Sequence, residues 1–280
     1  MTTDAPGDPG IRDILSHYAS AAEAGRLRSG AGQLERARTE EILLRYLPTP
    51  PARVLDVGGG PGAYAVWLLE HGYDVDLIDV VPLHIEQANA AMARVSGGRG
   101  SARVGDARQL DVDDRSADAA LLLGPLYHLT EWEERVRALR EASRALRPGG
   151  VLIAAAISRF ASLLDGYRQG FIRDPRFREI VDADLREGRH SNPTERTDWF
   201  TTAYFHDPSG LRDELADAGL QVVTVLAVEG PFWTVADFES HWADEASRAQ
   251  LLAYLRRIEA DESLLGASAH LLAIARKGAA

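Results

Sequence analysis

The stretch VLDVGGGPGAYA, Val54 to Ala65, constrains the fold of this chain more than any other. An apolar run of strand type carries a carboxylate, Asp56, near its end. Gly58, Gly59, Gly60 and Gly62 then fall within five positions, and an apolar helical segment follows. Each glycine costs helix or strand stability where it is not needed. Such a density marks a strand-to-helix turn through which a ligand approaches the backbone, with helix N–H groups aimed at it. Gly58, Gly60 and Ala63 fit G-x-G-x-x-G/A, the fingerprint of dinucleotide-binding loops.

The surrounding pattern extends this turn into a fold. ARVLDVG, DVDLIDV, SARVGDA, SADAALLLG and VLIAAAI read as strands. AYAVWLLEHG, PLHIEQANAAMARV and EWEERVRALREASRAL read as helices, the last closed by RPGG. Five strands alternating with helices between Arg53 and Ile157 predict a parallel sheet with helices on both faces. Ahead of it, IRDILSHYASAAEAGRL and GQLERARTEEILLRYLP predict two helices broken near RSGAG. After it the regularity stops. Residues from about 158 to 206 are mixed and rich in aromatics, and predict an insertion of helices and loops. The helix DPSGLRDELADAG, the strand LQVVTVLAVEG, a polar helical stretch from Val235 to about Leu265 and the strand AHLLAIARK complete the chain.

The chain has 280 residues, no cysteine and one lysine, Lys277. Thiolate catalysis and cysteine-based zinc sites are excluded, and no metal site is expected. A net charge of −11 with basic residues scattered among acids gives no basic stripe for a phosphate backbone. No apolar run approaches the roughly 18 residues of a membrane span. The polar start MTTDAPGDPG lacks the features of a signal peptide, so a cytoplasmic location is expected.

The acids decide which ligand the loop takes. Asp56, two residues before Gly58, would repel a pyrophosphate and welcome an ammonium group. Asp79 ends the second strand, where an acid accepts hydrogen bonds from ribose hydroxyls. Asp106 follows the third strand and can accept from an adenine amino group. Ammonium, ribose diol and adenine amine together describe S-adenosylmethionine, and three successive strand ends share one edge of the sheet.

With these residues in place, the chain resembles the class I S-adenosylmethionine-dependent methyltransferases. VLDVGGGPG is similar to their first motif, DLIDVVP to the acidic second, GDARQL to the third and DAALLLGPLYHL to the fourth. ALRPGGVLI resembles the turn before their fifth strand. LQVVTVLAV and HLLAIARK resemble their last two strands. The resemblance implies a doubly wound, Rossmann-like α/β fold with a seven-stranded sheet. The last strand would be antiparallel and inserted beside the fifth. Residues 1–50 would form a tail and helical cover, and residues 51–280 the core domain with its insertion. No NPPY- or DPPY-type sequence follows the fourth strand, and GPLYHL resembles enzymes acting on small molecules.

The resemblance also distributes roles. Asp56, Gly58, Gly60 and Gly62 would surround the methionine part. Asp79 would take the ribose, Val80 the adenine face, and Asp106 and Ala107 the adenine edge. Gly124 and Pro125 would stand beside the sulfonium, although Val80 and Pro125 also fit a packing role. Tyr18 and Arg38 are the candidates from the N-terminal cover, Arg38 for the methionine carboxylate. Tyr127 and His128 follow the fourth strand, and His206 closes the insertion. These three are the expected catalytic residues, a histidine serving as base if the acceptor keeps its proton. His71, His84 and His270 read as packing. The expected reaction is methyl transfer to a small organic molecule, with S-adenosylhomocysteine as product and no nucleic-acid or membrane partner. The alternatives are non-methyl chemistry on the same cofactor, such as cyclisation, a non-catalytic binding module, and a nicotinamide oxidoreductase, which Asp56 disfavours.

Overall fold

The computed structural model describes residues 27, 29–194 and 196–279. Tyr18 lies outside them. Alternation along the strands sorts side chains onto two faces. Val54, Leu77, Leu121, Ile153 and Leu272 face one way; Leu55, Ile78, Leu122, Leu152 and Leu271 face the other. Both sets are buried, which demands helices on both sides.

The strands are β1 (Arg53–Val57), β2 (Asp74–Asp79), β3 (Gly100–Val104), β4 (Ala117–Leu122), β5 (Leu146–Ser158), β6 (Arg189–His190), β7 (Ala203–His206), β8 (Leu220–Ala227) and β9 (His270–Lys277). β3, β2, β1, β4 and β5 are neighbours in that order and parallel. β9 runs antiparallel between β5 and β8. All seven expected strands are therefore present, the last antiparallel and beside the fifth. The first face is covered by α1 (Ala31–Tyr46), α2 (Ala63–Glu70) and α3 (Pro82–Met92). A short helix, α4 (Pro125–His128), precedes α5 (Trp132–Ala145). α5 and the later α8 (Pro208–Asp217) cover the second face.

The insertion differs from its expected make-up. Besides α6 (Ala161–Gln169) and α7 (Pro175–Glu187) it contains β6 and β7, which pair antiparallel. β9 occupies one edge of β5 as far as Ile157. β4 stops at Leu122, opposite Ala154, so the other edge of β5 is open beyond that point. β7 fills it, with Phe205 and His206 beside Ile157 and Ser158. The insertion is thereby fixed to the sheet at the end of β5. Its own core is Phe177, Ile180, Val181 and Trp199. After β8 come α9 (Phe238–Ala243) and α10 (Glu245–Ile258), the polar helical stretch of the sequence.

A buried ion cluster ties α1 down. Arg38 is 0% exposed. It donates to Glu41 at 2.7 Å, pairs with Glu259 just beyond α10, and reaches the Val228 carbonyl after β8. Arg45 donates to the same Glu259. Breaking a buried pair costs up to about 3–5 kcal/mol, and less where another cation stays on the carboxylate, as Arg45 does on Glu259. Arg38→Ala is therefore expected to lower the unfolding free energy by about 2–3 kcal/mol in denaturant titrations. A loss under about 1 kcal/mol would show that the cluster is not what holds α1.

Candidate active site

Register aligns the parallel strand ends. Val57 lies beside Ile78 and Leu122, and Asp79 beside Val104. The residues that follow, Gly58, Val80, Gly105 and Leu123, open onto one edge. A cavity of about 370 Å³ lies there.

The loop after β1 is shaped by contacts that exclude side chains. Gly58 has φ +71°, and a Cβ on it would come 2.6 Å from the Pro125 ring. Gly62, at φ +88°, opens α2 against Ala88. Gly59, a variable position of the motif, has its own constraint, because a Cβ there would lie 2.5 Å from Asp56 Oδ2. The Gly60 N–H donates to Asp79 Oδ2 at 2.9 Å. Asp79 Oδ1 accepts the Val81 N–H at 2.9 Å and lies 3.2 Å from His84 Nδ1. Asp79 thus stitches the loop to the end of β2.

Asp56 is 1% exposed, and neither carboxylate oxygen has a hydrogen-bond partner among the described residues. Burial, with the nearby Asp79 charge second, pushes its pKa up to about 7. A buried carboxylate without donors is costly unless a cation arrives. The orphaned oxygens and the side-chain-free loop fit the ammonium and the narrow methionine chain of S-adenosylmethionine.

Asp106 is held by Arg108, which donates through Nη2 at 2.7 Å and through its backbone N–H at 2.8 Å. Arg108 also donates to Glu134 on α5. Ala107, Val80, Gly124 and Pro125 line the cavity with Asp106. Tyr127, His128 and Leu129 line it too, and the Tyr127 hydroxyl donates to the Leu123 carbonyl at 3.1 Å. His128 stacks on Phe200 of the insertion, ring centroids 6.1 Å apart. Tyr127 packs with Ile157, Ala203 and Phe205.

Two expected residues are not brought to the cavity. Arg38 faces the buried ion cluster, and Arg36 lines the cavity instead, its Nε 2.7 Å from Glu40. His206 is 0% exposed, and its Nε2 lies 3.1 Å from Glu214 on α8. Glu214 also accepts from Arg135 on α5 at 2.7 Å. Burial, partly opposed by Glu214, lowers the His206 pKa. This histidine is a neutral strut between β7 and α8. Sequence reasoning missed Arg36, Arg108 and His84 as lining residues. His84 lies in the first turn of the helix after the acidic strand end, a place that faces the ligand edge and was a usable signal.

Comparison with known proteins agrees with this geometry. Residues 54–150 match a family model described as a methyltransferase domain. Over 127 residues the chain is 35% identical to an uncharacterised methyltransferase of Mycobacterium tuberculosis, covering 44% of this chain and 49% of that protein. An S-adenosyl-L-methionine-dependent Diels-Alderase of Talaromyces variabilis is 29% identical over 126 residues, 44% of this chain and 42% of its own length. The chain spans about half the length of these curated relatives. Among solved structures, a methyltransferase of Methanosarcina mazei has a TM-score of 0.60 at 20% identity, covering 85% of this chain and 98% of that one. The cyclase SpnF has a TM-score of 0.59 at 19% identity, covering 96% and 94%. Residues 54–150 therefore carry a methyltransferase domain by family match, and the fold around them is shared with solved S-adenosylmethionine-dependent methyltransferases. S-adenosylmethionine is the cofactor of that family. Among the described residues no helix is long and apolar enough to cross a membrane.

The Asp56 pKa sets a pH dependence. An unfolded Asp loses its proton near pH 4, whereas the ligand-free fold keeps it to about 7. Between those values the native state binds the extra proton, so this group lowers stability as pH rises and levels off above pH 7. Binding a cation needs the carboxylate, so cofactor affinity rises with pH up to about 7. Calorimetry from pH 5.5 to 8.5 is expected to show this rise in the wild type and a weak, flat affinity in Asp56→Asn, whose ligand-free form melts higher at pH 8. An unchanged pH dependence in the variant would remove Asp56 from the site.

Proposed function

We propose that this chain transfers the methyl group of S-adenosylmethionine to a small organic molecule by in-line displacement. The observation that carries this reading is the cavity. The glycine loop and three strand-end acids line it. The stretch after β4, with Tyr127 and His128, also lines it, and the insertion packs against these two side chains and is hydrogen-bonded to the end of β5. A cavity of about 370 Å³ suits a compact acceptor, and the net charge of −11 does not favour nucleic acid.

The cofactor, when bound, supplies an already activated methyl group, so the chain mainly aligns two reactants and excludes water. In this reading Asp56 receives the ammonium, with Gly58, Gly60 and Gly62 around the methionine chain. Asp79 accepts from the ribose diol through the lone pairs that Gly60 and Val81 leave. Val80 packs on the adenine, and Asp106 and Ala107 meet its edge. Gly124 and Pro125 stand beside the sulfur. Arg36 takes the carboxylate role first given to Arg38. Tyr127 and His128 wall the acceptor end. Residues 1–50, of which α1 is the described helix, act as a cover on the core domain of residues 51–280. A second reading keeps the site and changes the reaction. Similarity to a Diels-Alderase and to a cyclase favours ring closure with the cofactor not consumed.

Product analysis separates the two. Methyl transfer yields S-adenosylhomocysteine in step with a product heavier by one methylene. Cyclisation leaves the cofactor intact. Asp79→Ala is expected to weaken S-adenosylmethionine binding by about 1.5–3 kcal/mol. Arg36→Ala should weaken it more than a folded Arg38→Met does. Wild-type affinity in Asp79→Ala, or tight NADH binding by the parent chain, would sink the assignment.

A further inference from the structure

Past β5 the insertion sets one side chain against a cavity-lining residue, and it does so under strain. Phe200 has φ +65° and ψ 177°, a backbone region that essentially only glycine adopts. The carbonyls on both sides of it are gripped. His190 Nε2 lies 2.8 Å from the Trp199 carbonyl, and a carbonyl only accepts, so Nε2 carries a proton. Nδ1 of the same ring lies 2.8 Å from Asp184 Oδ2. His190 is 2% exposed and Asp184 0%, so both are fixed within the insertion. The Asn192 side-chain amide donates to the Phe200 carbonyl at 2.9 Å and to the Arg196 carbonyl at 2.7 Å. Strain of this kind persists only where the surroundings over-determine it, and it concentrates at functional sites.

That conformation delivers the Phe200 ring to α4. The ring stacks on His128, with centroids 6.1 Å and planes 29° apart, and packs on the same cluster as Tyr127. Tyr127 and His128 both line the cavity. The insertion's own core of Phe177, Ile180, Val181 and Trp199 does not include Phe200. α4 has only four residues, and different parts of the chain press on its two ends. Its first residue, Pro125, lies against Gly58 of the glycine loop. Its last, His128, lies against Phe200. Cofactor loop and insertion therefore meet through one short helix, and a change at Phe200 reaches the Tyr127–His128 end of it first.

We propose that Phe200, held by His190 and Asn192, is a positioning residue that sets the Tyr127–His128 wall and through it the shapes of acceptor the site takes; this rests on the methyl-transfer reading above. Phe200 is not itself a lining residue and acts through the two that are. In the sequence it is one aromatic of several in the insertion, and the backbone conformation is what singles it out. Side chains in a packed wall keep their places because their neighbours leave them no room. A small residue at position 200 removes that support from the His128 ring, and the wall then yields to a broader acceptor. The glycine loop, at the other end of α4, keeps its own contacts with Pro125 and Asp79.

The test uses the full chain, S-adenosylmethionine and two probe acceptors, phenol and 1-naphthol, with the variants Phe200→Gly, Phe200→Ala and Phe200→Tyr. Thermal melting reads the strain. Phe200→Gly should melt above Phe200→Ala, because glycine accepts φ +65° and alanine does not. The ratio of kcat/KM for 1-naphthol to that for phenol reads the wall. It should rise roughly tenfold in Phe200→Gly, the scale on which an apolar pocket discriminates small differences in size. Phe200→Tyr, which keeps the ring, should return the ratio to near the wild-type value. Cofactor affinity by calorimetry should stay at the wild-type value in all three variants. Four results overturn the proposal while leaving methyl transfer standing: a wild-type ratio in Phe200→Gly, a ratio as altered in Phe200→Tyr as in Phe200→Gly, rates for both phenols that fall in step with cofactor affinity, or Phe200→Ala melting at or above Phe200→Gly. A wild-type chain that binds the cofactor but forms no S-adenosylhomocysteine with either phenol overturns both readings.

Discussion

The site is organised around a carboxylate that has been taken out of water with nothing to replace it. Asp56 sits at the end of β1, with the same side-chain parity as Val54 in the core. Gly59 passes directly over it, too close for any side chain. The buried charge is compatible with folding because the proton stays on until about pH 7. The loop around it is then held by other means, chiefly the Gly60 N–H on Asp79 and the Pro125 ring against Gly58. The same arrangement that makes ligand-free Asp56 unfavourable makes a cation there favourable, because a buried opposite charge replaces the lost hydration. Selectivity for a sulfonium amino acid over a pyrophosphate follows from that single sign of charge.

The sheet and the convergence of the strand-end residues on one cavity were legible because both depend on local rules. Strand alternation survives in the sequence, and residues at parallel strand ends must share an edge whatever their separation along the chain. Arg38 was legible too, in a different sense. Leu34, Arg38 and Ile42 are spaced by four, so Arg38 falls within the apolar stripe of α1 and turns inward. Arg36, 200° away around the helix, turns outward to the cavity. His206 was misplaced because β7 was read as part of a loop. Once Ala203–His206 is a strand, alternation puts Phe205 with Tyr127 and sends His206 with Tyr204 to the opposite face. The hydrogen bond between Glu229 and His270 was not legible at all. Its partners are separated by 41 positions and meet only because β8 and β9 are antiparallel neighbours.

The part of the chain that matches the family model ends at Gly150, before the insertion begins. The matched part supplies every residue assigned to the cofactor except Arg36. Beyond it lie the hairpin of β6 and β7, the stacked Phe200 and the β8–β9 junction. The division has a physical basis. The glycine loop must fit one fixed ligand atom by atom. The insertion needs only a place to attach, which the edge of β5 beyond the end of β4 provides.

Helix α1 meets three separate demands within four residues. Glu35 faces His270, Arg36 borders the cavity, and Arg38 is sealed against Glu259. A helix turns 100° per residue, so these directions are fixed relative to one another by the backbone alone. A single-residue insertion or deletion before Glu35 leaves their mutual phase intact and shifts only the chain leading in. The same event between Arg38 and Tyr46 rotates all three against the sheet at once and drives the Arg38 charge out of its pocket. The acceptable length changes in this region therefore lie ahead of Ala31, outside the helix and its buried Leu34.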